Sequence, residues 1–179
     1  MASPRDYKNT IVPNWCPGCG DYGIQNAISA VCAKKGWANE DITLISGIGC
    51  SSRIGGYQYC YGAHTTHGRA LPFAQGIKCA NKDQHMIVCS GDGDSYAIGL
   101  GHAMHAIKRN MDITYLVFDN QVYGLTKGQT SPASDKGFVT KTTPDGNPLT
   151  PLDAPAMALA AGATFVAQAY AIDSKTMIN

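Results

Sequence analysis

Apolar residues recur along this chain with two different periods, and the alternation between them sets the expected fold. Ile24, Ala27, Ile28, Val31 and Cys32 fall on one face of a 3.6-residue period, which predicts a helix over about 22–35. Asp21 stands where a helix cap is wanted, and Gly36 where a helix ends. Ile42-Thr43-Leu44-Ile45-Ser46 is short and apolar, the mark of a buried strand. A glycine-rich loop over 47–62 follows, then a helix over 67–80 with Pro72 in its first turns. Met86-Ile87-Val88-Cys89-Ser90 is a second such strand, and a helix over 95–109 starts just past Gly91-Asp92-Gly93. Ile113-Thr114-Tyr115-Leu116-Val117-Phe118 is a third strand, closed by Asp119-Asn120.

Strand, glycine turn, helix and strand recur in that order. The series predicts an α/β fold, a parallel sheet with helices on both faces and right-handed crossovers. Such sheets bind ligands beyond the carboxyl ends of their strands, where all three glycine-rich loops fall. A long loop over 121–155, rich in Gly, Thr, Ser and Pro, is of a length usually kept for function. A small-residue helix over 154–161 and a strand over 164–170 come next. Asp173-Ser174-Lys175 resembles the cap of one more helix. The pattern stops at Asn179 in mid-series, so a C-terminally truncated chain is expected. The expected organisation is a single domain over 1–179.

Composition narrows the function classes. With 44% hydrophobic and 15% charged residues, 179 residues suffice for one domain with a real core. A formal net charge of +1 and the absence of a basic patch with interleaved aromatics argue against nucleic acid. No apolar run approaches the ~20 residues of a membrane span. The start of the chain is polar and lacks the apolar stretch of a signal peptide, so a cytoplasmic protein is expected. Seven cysteines then read as core thiols, metal ligands or redox groups.

Three of those cysteines fall on loops. Cys16 and Cys19 form a Cys-x-x-Cys pair, and Cys50 follows the first strand in Gly47-Ile48-Gly49-Cys50-Ser51-Ser52. Such a pair serves iron–sulfur clusters, zinc or dithiol redox chemistry. Zinc ribbons usually repeat the pair, and no second pair exists here. A thioredoxin-like pair follows a strand, and this one precedes all of them. A cluster normally takes four thiolates, and Cys32 and Cys89 look like core residues, Cys79 sits near a helix end and Cys60 in a loop. Spacing alone leaves cluster, zinc and inert thiols open.

The second constellation pairs Gly91-Asp92-Gly93-Asp94 with Asn120. Asp92 leaves a buried strand beside a helix start, where phosphate oxygens are favoured. Mg²⁺ takes one or two protein oxygens plus diphosphate oxygens. Asp92, the side-chain oxygen of Asn120 and a backbone carbonyl just past it could supply them. A β-α turn with an acidic cap is the plainer reading of Gly-Asp-Gly alone; the Asn at the next strand end favours the ligand site. No Gly-x-x-x-x-Gly-Lys-Ser/Thr loop supports nucleotide binding.

These motifs together resemble one family. Gly91-Asp92-Gly93 running to Asp119-Asn120 is similar to the cofactor motif of thiamine-diphosphate enzymes. Cys16-Pro17-Gly18-Cys19-Gly20, Gly47-Ile48-Gly49-Cys50-Ser51, His64-Thr65-Thr66-His67-Gly68-Arg69-Ala70 and Val122-Tyr123-Gly124-Leu125-Thr126-Lys127-Gly128-Gln129 resemble the β subunit of 2-oxoacid:ferredoxin oxidoreductases. The 2-oxoglutarate branch is the nearest match. The resemblance implies the diphosphate-type domain of the thiamine-diphosphate-binding fold, with an N-terminal iron–sulfur loop. It implies oxidative decarboxylation of a 2-oxoacid to the acyl-CoA and CO₂, with electrons passing through a [4Fe–4S] cluster to ferredoxin.

By the same resemblance Cys16, Cys19 and Cys50 would ligate the cluster, and Asp92, Asn120 and the Val122 carbonyl would hold Mg²⁺ on thiamine diphosphate. Ile48, Gly49, Cys50, Ser51, His67, Gly91, Gly93, Asp94, Gly124 and Leu125 would line the cofactor. Leu125 would prop its rings, and His67 and Arg69 are candidates for anionic groups; His64 is equally a packed loop histidine. The family's fourth cluster cysteine lies further along and is absent here. Its activating Glu sits on the partner α subunit, so no catalytic residue is assigned in this chain, whose one glutamate is Glu40. The implied assembly is αβ or (αβ)₂, inactive as the lone chain, with coenzyme A and the 2-oxoacid as further partners. A pyruvate, branched-chain or indolepyruvate enzyme remains an alternative, as does a non-catalytic metal- or cluster-binding scaffold.

Overall fold

A computed structural model describes residues 2–179 of the chain. Its centre is a four-stranded parallel sheet in the order β2-β1-β3-β4. The strands are β1 (Ile42–Ser46), β2 (Tyr61–His64), β3 (His85–Gly91) and β4 (Thr114–Phe118). Helix α1 (Gly20–Lys35) precedes the sheet, α2 (Ala70–Ala80) joins β2 to β3, and α3 (Leu100–Arg109) joins β3 to β4. A short antiparallel hairpin, β5 (Val122–Tyr123) and β6 (Gln129–Thr130), follows β4, and α4 (Ala154–Ala160) and α5 (Ser174–Ile178) complete the chain.

The period of two along each strand explains why helices lie on both faces. Ile42, Leu44, Ile87, Cys89 and Phe118 point one way and pack with Ile28 and Cys32 of α1, together with Tyr7, Trp15, Ile54 and Tyr57. Ile45, Met86 and Val88 point the other way, onto Ala70, Leu71 and Ala74 of α2 and Ala103 of α3. Alanines at those helix positions let the helices approach the sheet closely.

Several sequence expectations shift at their ends. Helix α1 starts at Gly20 with Cys19 at its cap, and Asp21 is a buried first-turn residue. Helix α2 begins at Ala70, because Gly68 takes a left-handed φ of 70° and packs against Gly99. The expected helix over 95–109 opens as a π-turn, Asp94–Ile98, before α3. The loop over 47–62 hides a 3₁₀ turn and leads into β2, whose exposed residues carry no apolar pattern to announce an edge strand. The strand expected over 164–170 does not form. Phe165 and Tyr170 are 84% and 82% exposed, and β propensity without a paired neighbour fixes nothing. The helix after Asp173 does form, with Asp173 as its cap. Among the described residues no helix is long and apolar enough to cross a membrane.

Leu44 is 1% exposed at the middle of the larger core cluster, between α1 and the sheet. Leu44→Ala should destabilise the chain by about 2–5 kcal/mol in denaturant unfolding. A loss under about 1 kcal/mol would mean that this face of the sheet is not the main core.

Candidate functional site

The parallel register brings the loops to one edge. Ser46 pairs with Cys89 and with His64, and Gly91 pairs with Phe118, so the residues that follow β1, β2, β3 and β4 emerge together. Asp92 is therefore level with Asp119, with Asn120 one residue beyond.

Asp94 ties three of these loops. Its Oδ1 accepts from the Gly68 amide at 2.7 Å, from the Ile48 amide at 3.2 Å, and from Nδ1 of half-buried His67. Its Oδ2 is buried with no partner among the described residues. A Cβ at Gly47 would sit 1.8 Å from that oxygen, so only glycine fits there. Gly93 is constrained in the same way by the Tyr123 ring, 2.3 Å from where its Cβ would lie.

Asp92, 2% exposed, accepts from the Ser131 hydroxyl through Oδ2. Burial pushes its carboxyl above the ordinary carboxylate range, Asp119 adds to the push, and Ser131 opposes it. Across the edge, Asn120 Oδ1 accepts from the Val122 amide at 3.2 Å, and Asp119 Oδ1 from the Gln121 amide at 2.9 Å. Gln121 is a non-glycine residue at φ 60°, and this left-handed turn sits between the Asn120 side chain and the Val122 carbonyl.

The three loop cysteines are neighbours. Burial raises the Cys19 and Cys50 thiols, and nearby Asp21, then neighbouring Cys16, adds to the rise in each. Trp15 fastens their loops together: its indole N–H donates to the Cys50 carbonyl at 2.7 Å, and its ring meets Tyr22 and Tyr57 edge-on, at 5.2 and 5.0 Å. Among the described residues no three His, Cys, Asp or Glu side chains converge on a single-ion site. Cys60 is out of reach as a fourth ligand. It packs near Cys32 beside the start of β2, at the opposite end of the sheet from Cys50. Burial pushes the Cys60 and Cys32 thiols up to about 11.

Gly124 connects the two constellations. A Cβ there would lie 3.4 Å from Asn120 Nδ2 and 3.7 Å from Cys50 Sγ. The structure thus gathers Ile48, Gly49, Cys50, Ser51, His67, Asp92, Gly93, Asp94, Asn120, Val122 and Gly124 along one edge. Leu125 is 57% exposed at the hairpin tip. Arg69 is exposed, reaching only the Ile98 carbonyl at 3.5 Å. His64 is exposed at the end of β2 and bonds Ser46 and the Ser52 carbonyl, a structural role. Glu40 sits before β1, at the far end of the sheet from the site. Sequence reasoning missed Ser131, Tyr123 and Trp15. A lone serine in a long loop gives no signal until the loop folds back.

The residues fit the implied groups. A buried carboxylate, an amide oxygen and a turn carbonyl are hard oxygen donors of the kind Mg²⁺ takes. The unpartnered Asp94 Oδ2 and the tight glycines shape a polar cradle. Three thiols suit iron and sulfide.

Burial of Asp92 has a pH signature. The folded, metal-free chain keeps its proton to higher pH than the unfolded chain, so stability falls as pH rises through that window. Asp92→Asn should therefore raise the melting temperature of the metal-free protein at pH 8, and the gain should shrink as pH falls back toward the ordinary carboxylate range. An Asn variant that melts lower at pH 8 would contradict the burial argument. Cysteine alkylation checks the thiol map: Cys16 and Cys79, both exposed, should label in the native protein, and Cys32 and Cys89, both buried, only on unfolding.

Residues 47–178 match the C-terminal TPP binding domain of the thiamine pyrophosphate enzymes. The chain is 47% identical over 169 residues to the 2-oxoglutarate oxidoreductase subunit KorB of Mycobacterium tuberculosis, covering 94% of this chain and 45% of the relative. It is 46% identical over 164 residues to the 2-oxoacid:ferredoxin oxidoreductase subunit beta of Saccharolobus solfataricus, covering 90% and 54%. A solved 2-oxoglutarate:ferredoxin oxidoreductase from Magnetococcus marinus, with 2-oxoglutarate, coenzyme A and succinyl-CoA bound, has a TM-score of 0.97 and 43% identity, over 99% of this chain and 61% of that one. The chain spans about half the length of the curated relatives it matches.

Proposed function

The chain belongs to the thiamine pyrophosphate enzymes, and on that footing we propose that it is the β-type subunit of a 2-oxoacid:ferredoxin oxidoreductase acting on 2-oxoglutarate. The observation that carries the reading is the contact at Gly124, which puts the thiol loop of Cys50 against the Asn120–Val122 turn. A diphosphate-type site alone would not need thiols beside it. An electron-transferring one would.

In this reading Asp92, Asn120 and the Val122 carbonyl hold Mg²⁺. Asn120 Oδ1 already accepts one N–H, and its second lone pair is the one offered to the metal. His67, held at Nδ1 by Asp94, keeps Nε2 free to donate to the diphosphate, and the backbone of Ile48 to Ser51 and Gly93 would line it. When bound, thiamine diphosphate supplies the electron sink for loss of CO₂ from the 2-oxoacid. Cys16, Cys19 and Cys50 hold three corners of a [4Fe–4S] cluster. The partner α subunit contributes the activating carboxylate, since Glu40 stands at the wrong end of the sheet. Coenzyme A takes the acyl group and ferredoxin the electrons.

The test is an anaerobic assay of the full subunit with its partner, following reduction of a low-potential acceptor. Reduction should require both 2-oxoglutarate and coenzyme A, and Asp92→Ala should lower it by about a hundredfold or more. Preference for another 2-oxoacid would reassign the substrate. A complex that holds thiamine diphosphate and iron yet oxidises no 2-oxoacid would defeat the reaction.

A further inference from the structure

Ser131 lies just after β6, in the part of the long loop that folds back over the site. It is 7% exposed, and its hydroxyl donates to Asp92 Oδ2. A serine hydroxyl has one proton and two lone pairs. The Ala133 amide donates to Ser131 Oγ at 3.2 Å, so a lone pair is occupied and the proton is committed to Asp92. No other side chain hydrogen-bonds to Asp92 among the described residues.

The same loop is clasped to the Val122 turn from two directions. Thr130, next to Ser131, pairs with Val122 across the hairpin. The Ser131 amide donates to Ser134 Oγ at 2.8 Å, and Ser134 Oγ in turn donates to the Gln121 carbonyl. Ser134 is 1% exposed, and Asn147, 5% exposed, braces it by donating to its carbonyl at 3.1 Å. One loop therefore fixes both the rotation of Asp92 and its spacing from the Val122 carbonyl.

Resting on the Mg²⁺–diphosphate reading above, we propose that Ser131 is a positioning residue that makes this site select Mg²⁺ over Ca²⁺, through a buried hydroxyl that occupies one Asp92 oxygen at the clasp joining Asp92 to Val122. Mg²⁺ demands a compact, near-octahedral oxygen set, whereas Ca²⁺ takes 6–8 oxygens at longer distance and accepts both oxygens of one carboxylate. The Ser131 bond fixes the rotation of the Asp92 carboxylate and leaves Oδ1 as its unengaged oxygen, an arrangement suited to one compact metal contact. Without the hydroxyl the carboxylate is free to turn and present both oxygens, which suits Ca²⁺.

The full subunit, assembled with its partner and stripped of metal, is titrated with MgCl₂ or CaCl₂ at fixed thiamine diphosphate, and bound thiamine diphosphate is measured by equilibrium dialysis. Ser131→Ala should raise the half-saturating Mg²⁺ concentration by about 10- to 100-fold, the usual loss on removing an outer partner of a metal ligand. The Ca²⁺ value should stay nearly unmoved, so the preference for Mg²⁺ collapses. Ser131→Thr keeps the hydroxyl and should keep the wild-type ratio. Ser134→Ala loosens the same loop without touching Asp92, and should also keep it. Equal losses for both cations in Ser131→Ala would overturn the proposal, as would a Ser134→Ala shift in ratio as large as that of Ser131→Ala. A wild-type complex that retains no thiamine diphosphate with either cation would overturn the cofactor reading itself, and is recognisable as that separate failure.

Discussion

Parallel pairing of β1, β3 and β4 is the constraint on which the rest of this structure depends. Parallel strands finish at the same edge, and each must be followed by a loop that carries the chain back across a face. With Ser46 opposite Cys89 and Gly91 opposite Phe118, the thiol of Cys50, the carboxylates of Asp92 and Asp94 and the amide of Asn120 all emerge within a few residues of a strand end. None of these groups needs a special device to bring it near the others. The two core clusters hold the sheet between α1 on one face and α2 and α3 on the other, and so hold the edge.

Polar burial is concentrated at that edge, where it is costly. Two carboxylates are almost fully enclosed, one with an oxygen left unpartnered, and Asp119 adds negative charge close by. A chain selected for stability alone would have no reason to accumulate acidic groups there. The arrangement becomes sensible when a cation and the donors of a bound molecule complete it. The strained turn at Gln121 and the π-turn at Asp94–Ile98 fall in the same place, as local irregularity at a working site often does.

Much of this was legible in the sequence because the signals were local. Apolar runs marked β1, β3 and β4, Gly36 marked a helix end, and Gly91-Asp92-Gly93 marked a ligand loop. What escaped was non-local or lacked a pattern. The edge strand β2 is exposed and unpatterned, and the β5–β6 hairpin has only two residues in each strand. The supposed strand over 164–170 had the right residues but no neighbour to pair with. Ser131 is 39 residues from Asp92 in sequence, and Trp15 is 35 from Cys50. Such partners are revealed only by the fold, whereas the residues they support announce themselves by motif.

The placement of the two tryptophans gives the molecule an optical readout of its own ends. Trp15 is bonded to the carbonyl of Cys50, within the thiol loop, while Trp37 lies stacked on His85 at 3.9 Å, where β3 begins. A strongly absorbing iron–sulfur centre on those thiols would drain the emission of the first and leave the second, at the remote end of the sheet, comparatively bright. Intrinsic fluorescence then separates assembly of the redox centre from integrity of the scaffold in one spectrum, without any added label.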